Sequence, residues 1–148
     1  MTKLVGEAAT LEYAAKFAAL CKPPLVIYLQ GDLGSGKTTF ARGLIHAMGH
    51  SGNVKSPTFS LVEIYNLKQT RLYHFDLYRL KDPLELEFTG IRDLAGEEDV
   101  ICLIEWPDKG EQEVPAADLV IKLHYQGDTR SVQCLAESTK GQMIIDEL

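Results

Sequence analysis

The run Gly31-Asp32-Leu33-Gly34-Ser35-Gly36-Lys37-Thr38 constrains this chain more than any other segment. It fits G-x-x-x-x-G-K-[S/T], a phosphate-cradling loop when it leaves a strand and opens a helix. Both flanks satisfy that condition. Leu25-Val26-Ile27-Tyr28-Leu29 is a short, apolar, β-rich run that predicts a strand covered on both faces. From about Lys37 to Met48 the pattern is helical, with Gly49 placed to end it. Glycines let successive main-chain N–H groups of residues such as Leu33, Gly34, Ser35 and Gly36 turn inward toward phosphate oxygens. The helix adds its unpaired N–H groups and the positive end of its dipole. Lys37 supplies a mobile positive charge to the β- and γ-phosphates, and Thr38 a hydroxyl to Mg²⁺.

The remaining pattern predicts an α/β fold, a P-loop NTPase-like mixed sheet flanked by helices, in a single domain over residues 1–148. An opening helix is expected with Thr10 as its cap and Leu11, Ala14, Ala15 and Ala18 as its apolar stripe, ended by Pro23 and Pro24. Ser60 to Asn66 and Leu72 to Tyr78 read as a hairpin around Leu67 to Arg71. Asp82-Pro83-Leu84-Glu85 carries a cap, a first-turn proline and a glutamate three residues on, the signature of a helix start. Val100 to Ile104 reads as a strand apolar on both faces, Leu119 to Tyr125 and Arg130 to Leu135 as two more, and the tail as a helix.

Composition excludes several classes. With 45% hydrophobic and 24% charged residues the chain is of globular type, and its apolar runs are far short of a membrane span. Glu7 and Glu12 fall where a signal peptide needs an apolar stretch. Cys21, Cys102 and Cys134 form no C-x-x-C pair, so a reducing, cytoplasmic setting is expected. Fifteen basic against 21 acidic residues leave a net charge of −6. No basic cluster grips a nucleic-acid backbone, so any work on RNA is expected to go through a partner.

A nucleotide-bound Mg²⁺ usually takes one or two carboxylates besides phosphates and water. Glu105 ends a strand expected to lie centrally beside the P-loop strand, and is assigned to the metal with Thr38. Asp76 ends a segment whose alternation suits a hairpin or sheet edge, and is assigned to water positioning or support. Thr58, in Ser56-Pro57-Thr58, sits between the P-loop helix and the next strand, within reach of Mg²⁺ or the γ-phosphate. His74 reads as a structural histidine. Trp106 is either wall or partner anchor. Guanine readers carry an N/T-K-x-D element late in the chain; Thr139-Lys140-Gly141-Gln142 ends in glutamine, which favours ATP. The arginines Arg42, Arg71, Arg79, Arg92 and Arg130 are scattered singly, with no paired lid. That pattern fits a slow ATPase completed by a partner better than its alternative, a small-metabolite kinase.

The loop through Thr39, Asn53-Val54-Lys55-Ser56-Pro57-Thr58-Phe59, His74-Phe75-Asp76-Leu77-Tyr78-Arg79-Leu80, Leu86-Glu87-Phe88 and Ile104-Glu105-Trp106-Pro107 occur together in order. In that set the chain resembles the TsaE family over nearly its whole length, with Ser35 and Phe59 where alanine and tyrosine are common. The resemblance implies an ATPase of bacterial tRNA threonylcarbamoyladenosine modification, at the adenosine in position thirty-seven of ANN-decoding tRNAs. It implies ATP/ADP and Mg²⁺ as ligands, and TsaB and TsaD as partners that the ATPase resets between turnovers. Lys37, Thr38, Asp76 and Glu105 are the functional side chains it implies, with Glu7, Thr10 and Asp108 near the nucleotide.

Overall fold

The computed structural model describes residues 1–148. Its elements are β1 (Thr2–Val5), α1 (Gly6–Leu20), β2 (Leu25–Gln30), α2 (Lys37–Ala47), β3 (Val62–Asn66), β4 (Arg71–Asp76), α3 (Ile91–Leu94), β5 (Val100–Glu105), β6 (Leu119–Gln126), β7 (Thr129–Ala136) and α4 (Thr139–Glu147). Two 3-10 segments, Pro83–Thr89 and Pro107–Glu113, complete the set. The strands form one seven-stranded sheet in the order β1-β7-β6-β2-β5-β4-β3. Its middle is parallel: β2 pairs with both β5 and β6, and β4 with β5. The outer pairings are antiparallel.

Parallel strands need cover on both faces, and the side-chain alternation supplies two cores. Leu25, Ile27, Leu29, Leu72, Ile101 and Leu103 pack on one face against Ala14 and Phe17 of α1, Phe40 and Leu44 of α2, and Ile144 of α4. Val26, Phe75, Val100, Cys102 and Ile104 pack on the other against Leu86, Ile91 and Leu94. Every residue of β5 is buried, as expected for an interior strand paired in parallel on both sides. A ring pair, Phe17 with Phe40 at 6.0 Å between centroids, joins α1 to α2.

The sequence expectations meet three corrections. Thr10 does not cap α1: the helix begins at Gly6 after Val5, and Thr10 is buried inside it. The short strand β1, which no periodicity marks, leads directly into that earlier start. The stripe shifts with it, so Phe17 is buried whereas Ala15 is exposed. Nor is β4 a sheet edge. It lies between β3 and β5, and the edge role falls to β3, whose pattern is only half-buried. Asp82 does cap its segment, accepting from the Leu84 N–H at 3.0 Å, but the segment is 3-10 rather than α. No helix is long and apolar enough to cross a membrane.

Candidate functional site

The C-terminal ends of β2, β5 and β4 open onto a cleft of about 500 Å³, where α/β sheets commonly place ligands. The loop from Gly31 to Gly36 forms its floor. At Gly31 a Cβ would stand 2.6 Å from the Leu123 main-chain oxygen, which cannot yield because β6 is paired on both sides. Gly36 has φ +103, and a Cβ there would meet Cδ of Arg130 at 2.9 Å. The loop therefore requires glycine at both positions. It delivers the start of α2, whose first turn carries no acidic residue and no side-chain cap, so its N–H groups remain available to an anion.

Lys37 is almost fully buried. Its ammonium donates to the main-chain oxygens of Gly31 and, at 3.0 Å, Asp32, and lies 4.5 Å from the centre of the Trp106 ring. Burial pushes its pKa down, while the charges of Glu105, Asp76 and Asp32 oppose that shift.

Opposite the lysine stand two carboxylates. Asp76 and Glu105 are direct register partners across β4 and β5, 7% and 4% exposed. Both share the face of Leu72, Ile101 and Leu103, the face covered by α2. Their oxygens are used differently. Asp76 Oδ1 accepts from the Tyr78 N–H at 3.0 Å, and Oδ2 from the Thr58 hydroxyl at 3.3 Å. Thr58 also shares a 2.7 Å hydrogen bond with Ser56. Glu105 Oε2 accepts from His74 Nε2 at 2.6 Å, whereas Oε1 accepts nothing from the chain. Burial raises the Asp76 pKa; the Tyr78 N–H opposes the rise and the neighbouring Glu105 adds to it.

Most of the expected residues meet in this cleft. Leu33, Gly34, Gly36, Lys37, Thr38, Thr39, Thr58, Asp76 and Glu105 all line it. Ser35 does not: its hydroxyl is buried without a partner, and only its main chain belongs to the loop. Glu7 and Thr10 lie in a smaller adjoining pocket of about 130 Å³, which shares Gly36, Thr39 and Arg130 with the cleft. Glu7 is ion-paired with Arg42 there. Asp108 is exposed in the 3-10 segment after β5 and lines neither space.

Three features escaped the sequence reading. His74, expected to be structural, touches Glu105. Arg79 and Arg130, read as scattered, line the same cleft. Arg79 lies over the exposed Phe59 ring at 4.6 Å. Arg130 donates to the Gly34 oxygen at 3.2 Å and covers the ring of Tyr125, its register partner, at 4.8 Å. The usable signal for Arg130 was the strand pair itself, because a β6–β7 hairpin beside β2 carries its tip to the P-loop.

The donors suit Mg²⁺: one hydroxyl, one open carboxylate oxygen and space for phosphate oxygens and water. No cluster of three or more His, Cys, Asp or Glu offers an all-protein cage.

The family described as "Threonylcarbamoyl adenosine biosynthesis protein TsaE" matches residues 4–132. The chain belongs to the TsaE family. The TsaE protein of Haemophilus influenzae is 47% identical over 144 residues, covering 94% of this chain and 90% of that one. The TsaE protein of Bacillus subtilis is 36% identical over 147 residues, covering 99% and 91%. Among solved structures, that of Bacillus subtilis YdiB superposes with a TM-score of 0.82 at 31% identity, covering 98% of this chain and 90% of that one. TsaE-family proteins take part in the biosynthesis of threonylcarbamoyladenosine in tRNA. The segment matching TsaE runs from before Glu7 to beyond Arg130, so it encloses every residue of the cleft. Helix α4 lies outside it.

Proposed function

We propose that this chain is a Mg²⁺-dependent ATPase that serves tRNA threonylcarbamoyladenosine modification, slow by itself and stimulated by TsaB and TsaD. The observation that carries the reading is the pairing of a P-loop with two buried carboxylates of unequal engagement, one with an oxygen left open. A triphosphate fits the Gly31–Thr39 cradle with Lys37 turned from its main-chain oxygens onto the β- and γ-phosphates. Thr38 and Glu105 Oε1 are the residues that would hold Mg²⁺. Bound there, the metal would supply positive charge that offsets the negative charge of the phosphate oxygens. Asp76, with Thr58, accepts a hydrogen bond from the attacking water. That water bonds to the γ-phosphorus while the bridging oxygen leaves with its electron pair on ADP. ATP is favoured over GTP because no N/T-K-x-D element follows.

Dependence on a partner agrees with how the cations rest. Lys37 is held on main-chain oxygens and the Trp106 ring, Arg79 on Phe59 and Arg130 on Gly34. Thr58 is tied to Asp76. Each contact must be exchanged before that group meets a phosphate or the attacking water. A net charge of −6 favours tRNA being held by the complex rather than by this chain. The setting we assign is the cytoplasm.

The test is phosphate release from ATP and Mg²⁺, measured with and without purified TsaB–TsaD. Slow release alone and at least tenfold stimulation by the pair are expected. Phosphate transfer to a small acceptor with no protein partner, or no release under either condition, would reject the proposal.

A further inference from the structure

We infer that His74 is a positioning residue for metal-dependent turnover, holding Glu105 by one oxygen so that the other is presented to the metal. The inference rests on the ATPase reading above and adds to it a residue outside the cleft's lining. His74 sits two residues before Asp76 on the same face of β4, with Leu103 as its register partner, two residues before Glu105. The imidazole therefore lies one step deeper than the carboxylates, 2% exposed, and reaches Glu105 Oε2 at 2.6 Å.

Three observations separate this from a packing role. First, Nδ1 of His74 is buried with no partner. A buried polar atom left unpaired loses its hydration with nothing in exchange, so an apolar side chain would serve packing better. Second, the neighbouring strand positions are filled by Leu72, Ile101 and Leu103, all fully buried and apolar, which shows what packing alone selects on this face. Third, the single bond goes to the one carboxylate with an open oxygen, while Asp76 is held at both oxygens by other groups. A long glutamate side chain has rotamer freedom that aspartate lacks, and a fixed donor behind Oε2 removes it. Loss of such a supporting hydrogen bond typically costs about 10–100-fold in metal affinity or activity.

The test compares wild type with His74→Phe, which keeps size without a donor, and His74→Asn, which keeps an N–H. ADP binding is measured by calorimetry in EDTA and in Mg²⁺, with nucleotide-free thermal unfolding and TsaB–TsaD-stimulated kcat and KM for ATP alongside. For His74→Phe the expected result is an unchanged ADP affinity in EDTA, a Mg²⁺ enhancement of affinity reduced at least tenfold, and a kcat lower by about 10–100-fold at similar KM. His74→Asn should recover part of both losses. The inference is overturned if His74→Phe keeps the Mg²⁺ enhancement and kcat. It is also overturned if EDTA affinity falls by the same factor with no recovery in His74→Asn, since the imidazole then only supports the fold. A wild-type protein that binds no ADP at all would instead reject the ATPase reading itself.

Discussion

Nine consecutive residues, Gly31 to Thr39, make the proposed phosphate cradle, whereas His74, Asp76 and Glu105 meet only because β4 lies beside β5. The first region is main chain held in shape by glycine, and its ligands are N–H groups that no substitution outside the loop removes. The second is side chain held in shape by strand register, in which Asp76 faces Glu105 and His74 lies one step below. Under the proposed function the contrast implies a division of work: the local motif would grip the nucleotide, and the long-range register would supply what acts on its γ-phosphate.

Substitutions in the two regions should therefore fail in different ways. Lys37→Ala strikes the cradle and carries the largest effect. Loss of its charge-assisted contacts to the β- and γ-phosphates should weaken ATP binding at least 100-fold by calorimetry, with or without Mg²⁺. Glu105→Ala strikes the other region. TsaB–TsaD-stimulated phosphate release should drop about 100-fold, while ADP affinity in EDTA stays within about threefold of wild type. If Glu105→Ala lost binding as Lys37→Ala does, the two regions would be one.

Asp76→Asn sharpens the comparison through stability. Burial raises the Asp76 pKa, so the folded chain keeps this proton at pH values where the unfolded chain has released it. Stability falls as pH rises through that interval, and at neutral pH the ionised carboxylate is a cost to the fold. The variant should lose about 10–100-fold in turnover and melt at a higher temperature than wild type at pH 7. The gain should vanish below the ordinary aspartate range, where both states are protonated. The smallest effect belongs to Arg130→Ala, which removes a cation shared by the cleft and the pocket of Glu7. ADP should bind about three- to tenfold more weakly, with kcat little changed.

The same contrast governs what could be read from the chain. The cradle was legible because strand, glycines, lysine and helix follow one another, and β5 because Val100 to Ile104 is apolar without interruption. The roles on β4 were not. Its mixed sequence, Leu72-Tyr73-His74-Phe75-Asp76, looks like an exposed edge, yet one face meets the core of Phe75 and the other turns His74 and Asp76 toward α2. Polar residues there reflect a site rather than solvent, a distinction alternation cannot express. Arg130 was hidden for a different reason: it is 96 positions from Gly34 in the chain, and only the order β7-β6-β2 joins them. The start of α1 was misplaced because Gly6 follows a four-residue strand with no polar cap to mark the junction.

The most direct measurement is a calorimetric titration of the wild-type chain, in Mg²⁺, with ATP and separately with adenosine. If the cradle recognises the phosphate tail, ATP binds one to one and adenosine gives no measurable heat at the same concentrations. Equal affinity for the two, or no heat from ATP with the folded protein, would contradict the claim.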